Sequence, residues 1–188
     1  MNVIKSIALC CAIMLTTSLA AQESSSNQSI GFLLDLGIEF GGDEIAEVFF
    51  TNGEDQSVNA GQGGFIAVGG EYSMDKFAIR GTIGYKYVTT QASDANIRLT
   101  RIPINLSANY MVIDKLRIGA GISAQQGINF KGDGFLPDID FGSATGPRFE
   151  VAYAGFGISY TLLKYKADGG VEYDANAFGI NYSYVFGK

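Results

Sequence analysis

Hydrophobic and polar residues alternate along this chain with a period of two. In Phe77–Val88 the odd-numbered positions are mostly aromatic or aliphatic, whereas the even-numbered ones include Arg80, Thr82 and Lys86. One apolar face opposite one small or polar face is typical of a half-buried β-strand. Seven further segments show the same alternation: Phe32–Phe40, Phe65–Met74, Arg101–Tyr110, Leu116–Ser123, Phe149–Tyr153, Phe156–Leu162 and Phe178–Phe186.

The connections between these eight strands alternate between short and long. The short ones are Asp75-Lys76, Ile113–Lys115 and Ala154-Gly155. The long ones are Gly41–Gly64, Thr89–Asn96, Gln126–Gly146 and Lys166–Asp174. This arrangement predicts an all-β fold, an eight-stranded antiparallel up-and-down transmembrane β-barrel with short periplasmic turns and longer extracellular loops. Within the first loop, Asn52-Gly53 predicts a hairpin over residues 45–60 that extends the barrel.

Aromatic residues lie near the short-turn end of the apolar face on seven of the eight strands. A girdle at one membrane interface explains this position, because aromatic rings are enriched at that depth. Ordinary enrichment of aromatic residues in strands is the alternative, and it would scatter them along the strands. The predicted interface aromatics are Phe32, Tyr72, Phe77, Tyr110, Tyr153, Phe156, Tyr184 and Phe186.

The opposite face of the strands carries nearly balanced charge. Its charged residues are Asp35, Glu39, Glu71, Arg80, Lys86, Arg101, Arg117, Arg148 and Glu150. The interior of an eight-stranded barrel is just wide enough for side chains to fill, and buried charges persist when they are paired. We therefore predict a structural charge network that fills the lumen. Pro103 deletes one ladder hydrogen bond, so we expect a bulge or the long-loop end of the barrel nearby.

The first 21 residues have the layout of a cleaved signal peptide. Lys5 is the basic region, an apolar run follows, and Ala20-Ala21 offers a cleavage site. We predict a signal peptide over 1–21, a short polar segment over 22–29 and a barrel domain over 30–188. Both cysteines, Cys10 and Cys11, fall within the signal peptide. The formal net charge of −6 disfavours nucleic acid as a partner.

Composition argues against most enzyme classes. The chain has no His, which excludes a Ser-His-Asp triad, a Cys-His dyad and His metal ligands. The motif Ser73–Lys76 matches S-x-x-K but lacks the partner motifs of penicillin-recognising enzymes. We therefore expect no enzymatic activity, no catalytic residue, no cofactor and no metal site. Cation binding by the acidic loops is an alternative, although no ligand spacing supports it.

Several segments resemble small bacterial outer-membrane β-barrel proteins of the OmpA/OmpX-like kind. The resemblance is carried by Leu36–Glu44, Gly81–Lys86, Thr100–Asn105, Leu116–Gly121 and the aromatic C-terminal strand. It implies an eight-stranded barrel and no settled biochemical activity. Proteins of this kind commonly end on an aromatic residue that the barrel-assembly machinery reads. Here Gly187 and Lys188 follow Phe186.

These observations predict a monomeric integral protein of the Gram-negative cell outer membrane. We expect a non-enzymatic role in envelope integrity or in surface interaction through the loops. The expected partners are outer-membrane lipid, lipopolysaccharide and, through the C-terminal strand, the barrel-assembly machinery. A narrow channel for small solutes is the alternative, since strand number does not decide gating. A barrel enzyme acting on lipid is a second alternative, which the absence of His disfavours.

Overall fold

The computed structural model describes residues 28–49, 55–92 and 95–187. The predicted signal peptide and most of the polar segment lie outside these residues. The described residues form thirteen strands. They are β1 (Gln28–Phe40), β2 (Glu44–Phe49), β3 (Asp55–Asn59), β4 (Gly63–Met74), β5 (Phe77–Ala92), β6 (Ala95–Ile113), β7 (Leu116–Lys131), β8 (Ile139–Phe141), β9 (Ala144–Tyr153), β10 (Phe156–Thr161), β11 (Lys164–Lys166), β12 (Glu172–Asp174) and β13 (Ala177–Phe186).

Eight of these strands form a closed antiparallel ring. The order around the ring is β1, β4, β5, β6, β7, β9, β10 and β13, and β13 pairs with β1 to complete it. Every ring strand coincides with one of the eight segments predicted from alternation, which confirms the predicted fold class. The first strand begins at Gln28, two residues before the predicted boundary of the barrel domain.

The tight turns lie at one end of the ring, called here the short-turn end, and the long connections lie at the other, the long-loop end. Asp75 and Ala154, each in a tight turn, have φ of 48° and 50°. Such left-handed values suit a two-residue hairpin loop, because its twist matches that of the flanking strands.

Two of the predicted long loops are wrong in extent. Residues predicted as the loop Thr89–Asn96 belong mostly to β5 and β6, which extend well beyond the predicted strand ends. Strand β7 likewise continues to Lys131. A bulge near Gly127, with a φ of 56°, interrupts the two-residue period there and hides the continuation from the sequence pattern.

The predicted hairpin in the first loop exists, but it does not extend the barrel. Strands β2 and β3 pair with each other as a separate two-stranded sheet. A second separate hairpin is formed by β11 and β12, and β8 adds to the free part of β7. These additions all lie at the long-loop end.

Pro103 lies where the sequence predicts it, beside an irregularity in the ring. The register between β6 and β7 shifts between Thr100 and Ile102, and the pairing of β5 with β6 skips Pro103. The missing N–H of proline is therefore accommodated at a local break in the ladder rather than within a regular stretch.

Candidate functional site

The outer surface of the ring is a belt of exposed apolar side chains. On β1 these include Phe32, Leu36, Ile38 and Phe40. At a rise of about 3.3 Å per residue, Phe32 to Phe40 covers ~26 Å along the strand. A membrane barrel presents an apolar band ~25 Å tall. A closed ring with such a belt outside and charges inside is the architecture of an integral outer-membrane β-barrel.

The eight predicted interface aromatics all lie on the outer surface near the short-turn end. Six are exposed, whereas Tyr72 and Tyr110 are half-buried. Several of these rings lie close to one another. The ring centroids of Phe77 and Tyr110, on neighbouring strands, are 5.1 Å apart, and those of Tyr184 and Phe186, on the same strand, are 4.6 Å apart.

A second aromatic group lies on the outer surface farther towards the long-loop end. Phe40 is paired with Phe178, Phe178 with Tyr160, and Tyr160 with Phe149 across four neighbouring strands. All four rings are exposed. This group is not apparent from the sequence, because the strand register that aligns the four residues is not visible in the alternation.

The nine predicted lumen charges all face the interior. Those nearer the short-turn end form one network. Arg80 Nε donates to Glu71 Oε2 at 2.6 Å, and Arg117 Nη2 donates to the Glu150 carboxylate. Ser73 supports Glu71 with a hydroxyl bond of 2.8 Å. Arg80 Nη1 lies 3.8 Å from Glu150, which links the two pairs.

The charges nearer the long-loop end gather around Glu39. Lys86 Nζ donates to one carboxylate oxygen, and Arg148 Nη1 donates to the other at 2.7 Å. Lys86 also donates to the Gly61 carbonyl at 2.6 Å. A single carboxylate is therefore shared by two buried cations. Arg148 Nη2 lies 3.8 Å from Glu150, so the two networks meet at this arginine.

Two predicted lumen charges make no ion pair within the described residues. Asp35 accepts a hydrogen bond from Asn181 Nδ2 at 3.0 Å. Arg101 is 0% exposed, donates to the Gln62 carbonyl, and lies directly across the strand pair from Lys86. Among the described residues, hydrogen bonds rather than ion pairs hold these two side chains.

An apolar core lies above Arg101 at the long-loop end. We call this region the cap, and it comprises β2, β3, β8, β11 and β12 with the long-loop ends of β5, β6 and β7. Its buried core residues are Ala46, Val58, Ala60, Ile97, Leu99, Ile128, Phe130, Phe141, Ala144, Leu163, Tyr165 and Ala175. The ring of Phe141 lies 5.6 Å from Tyr165 and 5.7 Å from Tyr173.

Backbone hydrogen bonds tie the separate connections of the cap together. Asp43 N donates to Asp174 O at 2.6 Å, and Gly142 N donates to Lys166 O at 3.0 Å. The first, third and fourth long connections are therefore joined to one another. The cap is a packed unit rather than a set of independent loops.

Tyr165 lies at the contact between cap and lumen. Its side chain is fully buried, and its hydroxyl donates to Gln125 on β7. Burial raises the pKa of Tyr165, while the nearby Arg101 opposes this shift. The phenol therefore keeps its proton at neutral pH and serves as a hydrogen-bond donor below the cap.

The free space in the lumen decreases from the short-turn end to the cap. An open cavity of about 240 Å³ lies at the short-turn end. A cavity of about 30 Å³ follows in mid-lumen, and one of about 10 Å³ lies beside Glu39 and Lys86. A cavity needs ~10–15 Å³ to hold one water molecule. The upper lumen is thus filled by side chains.

Within the described ranges no helix is long and apolar enough to cross a membrane. In the same ranges, no three acidic or cysteine side chains are grouped so that they would hold a metal ion.

No family model matches the chain, and no curated protein matches it. Among solved structures, it is similar to Ail, the attachment invasion locus protein of Yersinia pestis, in complex with the heparin analogue sucrose octasulfate. The identity is 11%, the match covers 84% of this chain and 97% of Ail, and the TM-score is 0.40.

Two further solved structures are similar to the chain. Neisserial surface protein A shares 12% identity over 83% of this chain and 98% of that protein, with a TM-score of 0.44. The outer membrane channel DcaP of Acinetobacter baumannii shares 16% identity over 87% of this chain and 55% of DcaP, with a TM-score of 0.36.

Proposed function

We propose that the protein is a closed, non-enzymatic outer-membrane barrel that presents a folded cap at the cell surface. Its role is in envelope integrity or in surface interaction through the cap. The observation that carries the proposal is the apolar core directly above the charged lumen. Leu99, Phe130 and Tyr165 are buried where a conducting barrel needs an open mouth.

The charged lumen supports a structural interior rather than a permeation path. Glu39, Lys86 and Arg148 hold one another across the upper lumen. The cavity next to them holds about 10 Å³. A solute that crosses the barrel has to break these buried ion pairs, and breaking one costs several kcal/mol.

A basic pair on the outer surface supports lipopolysaccharide as a partner. Arg98 and Lys131 are direct cross-strand neighbours at the lower edge of the cap, above the apolar belt. Both are half-exposed and lie outside the lumen. Guanidinium and ammonium groups at this depth suit the phosphates of a lipid headgroup.

The C-terminal strand supports recognition by the barrel-assembly machinery. Strand β13 closes the ring between β1 and β10, and it carries Tyr182, Tyr184 and Phe186 on its outer face. The ring has no free strand edge among the described residues, which favours a monomer, because closure removes the edge that a second copy would pair with.

Two measurements on the full chain test the proposal. A folded membrane barrel runs differently on a gel before and after heating, and it is extracted only with detergent. Release of the native protein in the soluble periplasmic fraction contradicts the membrane assignment. In planar bilayers we expect no single-channel steps, and reproducible steps would favour the narrow channel over the closed barrel.

A further inference from the structure

The cavity at the short-turn end is larger than the two cavities that lie deeper in the lumen. Its volume of about 240 Å³ lies below the ~300–1,000 Å³ of pockets for drug-sized ligands. We call it the vestibule. Its wall combines apolar side chains, among them Ala78, Met111 and Val185, with hydroxyl groups of Ser73 and Ser183. The vestibule has room for a small molecule with one polar end.

Buried cations form the inner part of the vestibule. Arg80 and Arg117 both line it, and both are at least nine-tenths buried. Glu71, the acid in the same inner part, is held by Arg80 and Ser73. The charged groups at the rim are Asp75, Asp114 and Lys115. The two guanidinium groups lie deeper in the cavity, where Arg80 is paired with Glu71 and Arg117 with Glu150.

Arg117 has donor capacity that its partners do not use. A guanidinium group has five N–H donors in a planar fork that matches the two oxygens of a carboxylate or phosphate. Arg117 Nη2 contacts Glu150, whereas its buried Nη1 has no hydrogen-bond partner among the described residues. Leaving a charged donor buried and unpaired costs free energy that an added acceptor recovers.

From this geometry we propose that the vestibule is a binding site for a small oxyanion, with Arg117 as its principal anchor. The oxyanion is a carboxylate or a phosphate, and Arg80 and the hydroxyl of Ser183 lie at the same inner wall. The apolar part of the wall favours a short organic anion over an inorganic one. The tight turns at the short-turn end line the mouth of the site, and this end faces the periplasm in the proposed orientation.

Titration of the ¹⁵N-labelled full-length barrel in detergent micelles tests this site. Butyrate and inorganic phosphate are the two probes, added at constant ionic strength against chloride. The titration is followed by NMR. Saturable chemical-shift changes of the Arg117 side-chain N–H groups and of the Ser183 and Gly155 amides support the site. Tighter binding of butyrate identifies an organic carboxylate, and tighter binding of phosphate identifies a phosphate ligand. No saturable shift in the wild type overturns the proposal.

Two variants separate an anchor from general electrostatic attraction. Arg117→Gln should weaken binding by about tenfold, which corresponds to the loss of about one charge-assisted hydrogen bond. Lys76→Gln removes the same charge at the same end of the barrel, outside the vestibule wall, and should change the affinity less than twofold. Equal losses in the two variants overturn the proposal.

A third variant keeps Arg117 and tests the site even if Arg117→Gln does not fold. The described residues contain no cysteine, so Ser183→Cys introduces a single reactive thiol into the vestibule. Its reaction with a small methanethiosulfonate reagent should be slowed at least fivefold by saturating butyrate or phosphate. An unchanged rate with both probes contradicts the site.

Discussion

The barrel and the cap share strands β5, β6 and β7, and the polarity of the two faces is reversed between the two regions on β6 and β7. On β6 the lumen side carries Arg101, Asn105 and Ser107 below the cap, whereas Leu99 and Ile97 occupy the same side within it. The outer side changes in the opposite sense. Ile102 and Ile104 are exposed in the belt, and Thr100 and Arg98 replace them above it.

This inversion marks the edge of the membrane more sharply than the aromatic residues do. Below it, lipid solvates the outer face and the polar groups must pair inside. Above it, water solvates the outer face and burial of apolar area stabilises the inside. Strand β7 changes polarity in the same way, from Ser123 and Gln125 in the lumen to Ile128 and Phe130 in the cap.

The largest effect is expected when the shared carboxylate of the lumen is removed. Glu39→Gln leaves Lys86 and Arg148 buried without a full counter-charge, so we expect about 3–5 kcal/mol loss in the free energy of unfolding. Urea unfolding in detergent, followed by tyrosine fluorescence, measures it. The matched control is Glu172→Gln, whose ion pair with Lys166 is exposed and whose loss should leave the midpoint unchanged.

A cavity in the cap should lower the free energy of unfolding somewhat less than the loss of the Glu39 carboxylate does. Its effect should be confined to the cap. Leu99→Ala removes a fully buried side chain from the cap core, for about 3 kcal/mol. Because the lumen network below is intact, the variant should still shift on the gel with heating. Leu106→Ala on the same strand faces lipid and leaves no cavity, so its cost should be clearly smaller. If Leu99→Ala and Leu106→Ala lowered the free energy of unfolding equally, Leu99 would not be packed in a core.

The contact between the two regions should depend on one hydroxyl group. Tyr165→Phe keeps the ring in the cap but removes the donor to Gln125, which leaves a buried acceptor unsatisfied. We expect a loss of about 1–2 kcal/mol. The control Tyr173→Phe changes a half-buried tyrosine of the same cap, and it should have a smaller effect. A neutral Tyr165→Phe contradicts this contact.

The smallest effect concerns pH at the surface of the cap. The hydrogen bond from the Gly132 amide and the neighbouring Lys131 lower the pKa of Asp138 below its ordinary value of 3.8. A lowered folded pKa stabilises the loop above pH 3.8 and loses that effect as the pH falls through the folded pKa. The Gly132 amide shift should therefore titrate with a midpoint below 3.8. Asp138→Asn should abolish this titration. A midpoint at or above pH 3.8 in the wild type would show that the pKa of Asp138 is not lowered.

The ring was predictable from the sequence, whereas in the cap only the hairpin of β2 and β3 was predicted. Alternation in segments such as Phe77–Val88 specifies both faces of a strand, because the side-chain period of two is independent of the partner strand. The cap depends on the bulge at Gly127 and on contacts between distant residues, such as Phe141 with Tyr165. One feature of the sequence does indicate the cap. Leu99 lies on the same face of β6 as Arg101, and an apolar side chain on this otherwise polar face indicates a separate apolar core.

The lumen charges were predictable as a set but not as pairs. Alternation places Glu39, Lys86 and Arg148 on one face without saying which cation a carboxylate contacts. The pairing follows from the ring order, which brings residues from β1, β5 and β9 together across the lumen. The same three-dimensional arrangement gives Asp35 and Arg101 hydrogen-bond partners but no ion pair among the described residues.

Thiol labelling in intact cells shows whether the cap closes the lumen from the cell surface. Ser123→Cys places a single thiol in the buried upper lumen, and Val171→Cys places one on the exposed cap surface. A membrane-impermeant maleimide should label Val171→Cys rapidly and leave Ser123→Cys unmodified. In the Leu99→Ala background, Ser123→Cys should become reactive. Rapid labelling of Ser123→Cys with the cap intact would show that the lumen is open to the cell surface.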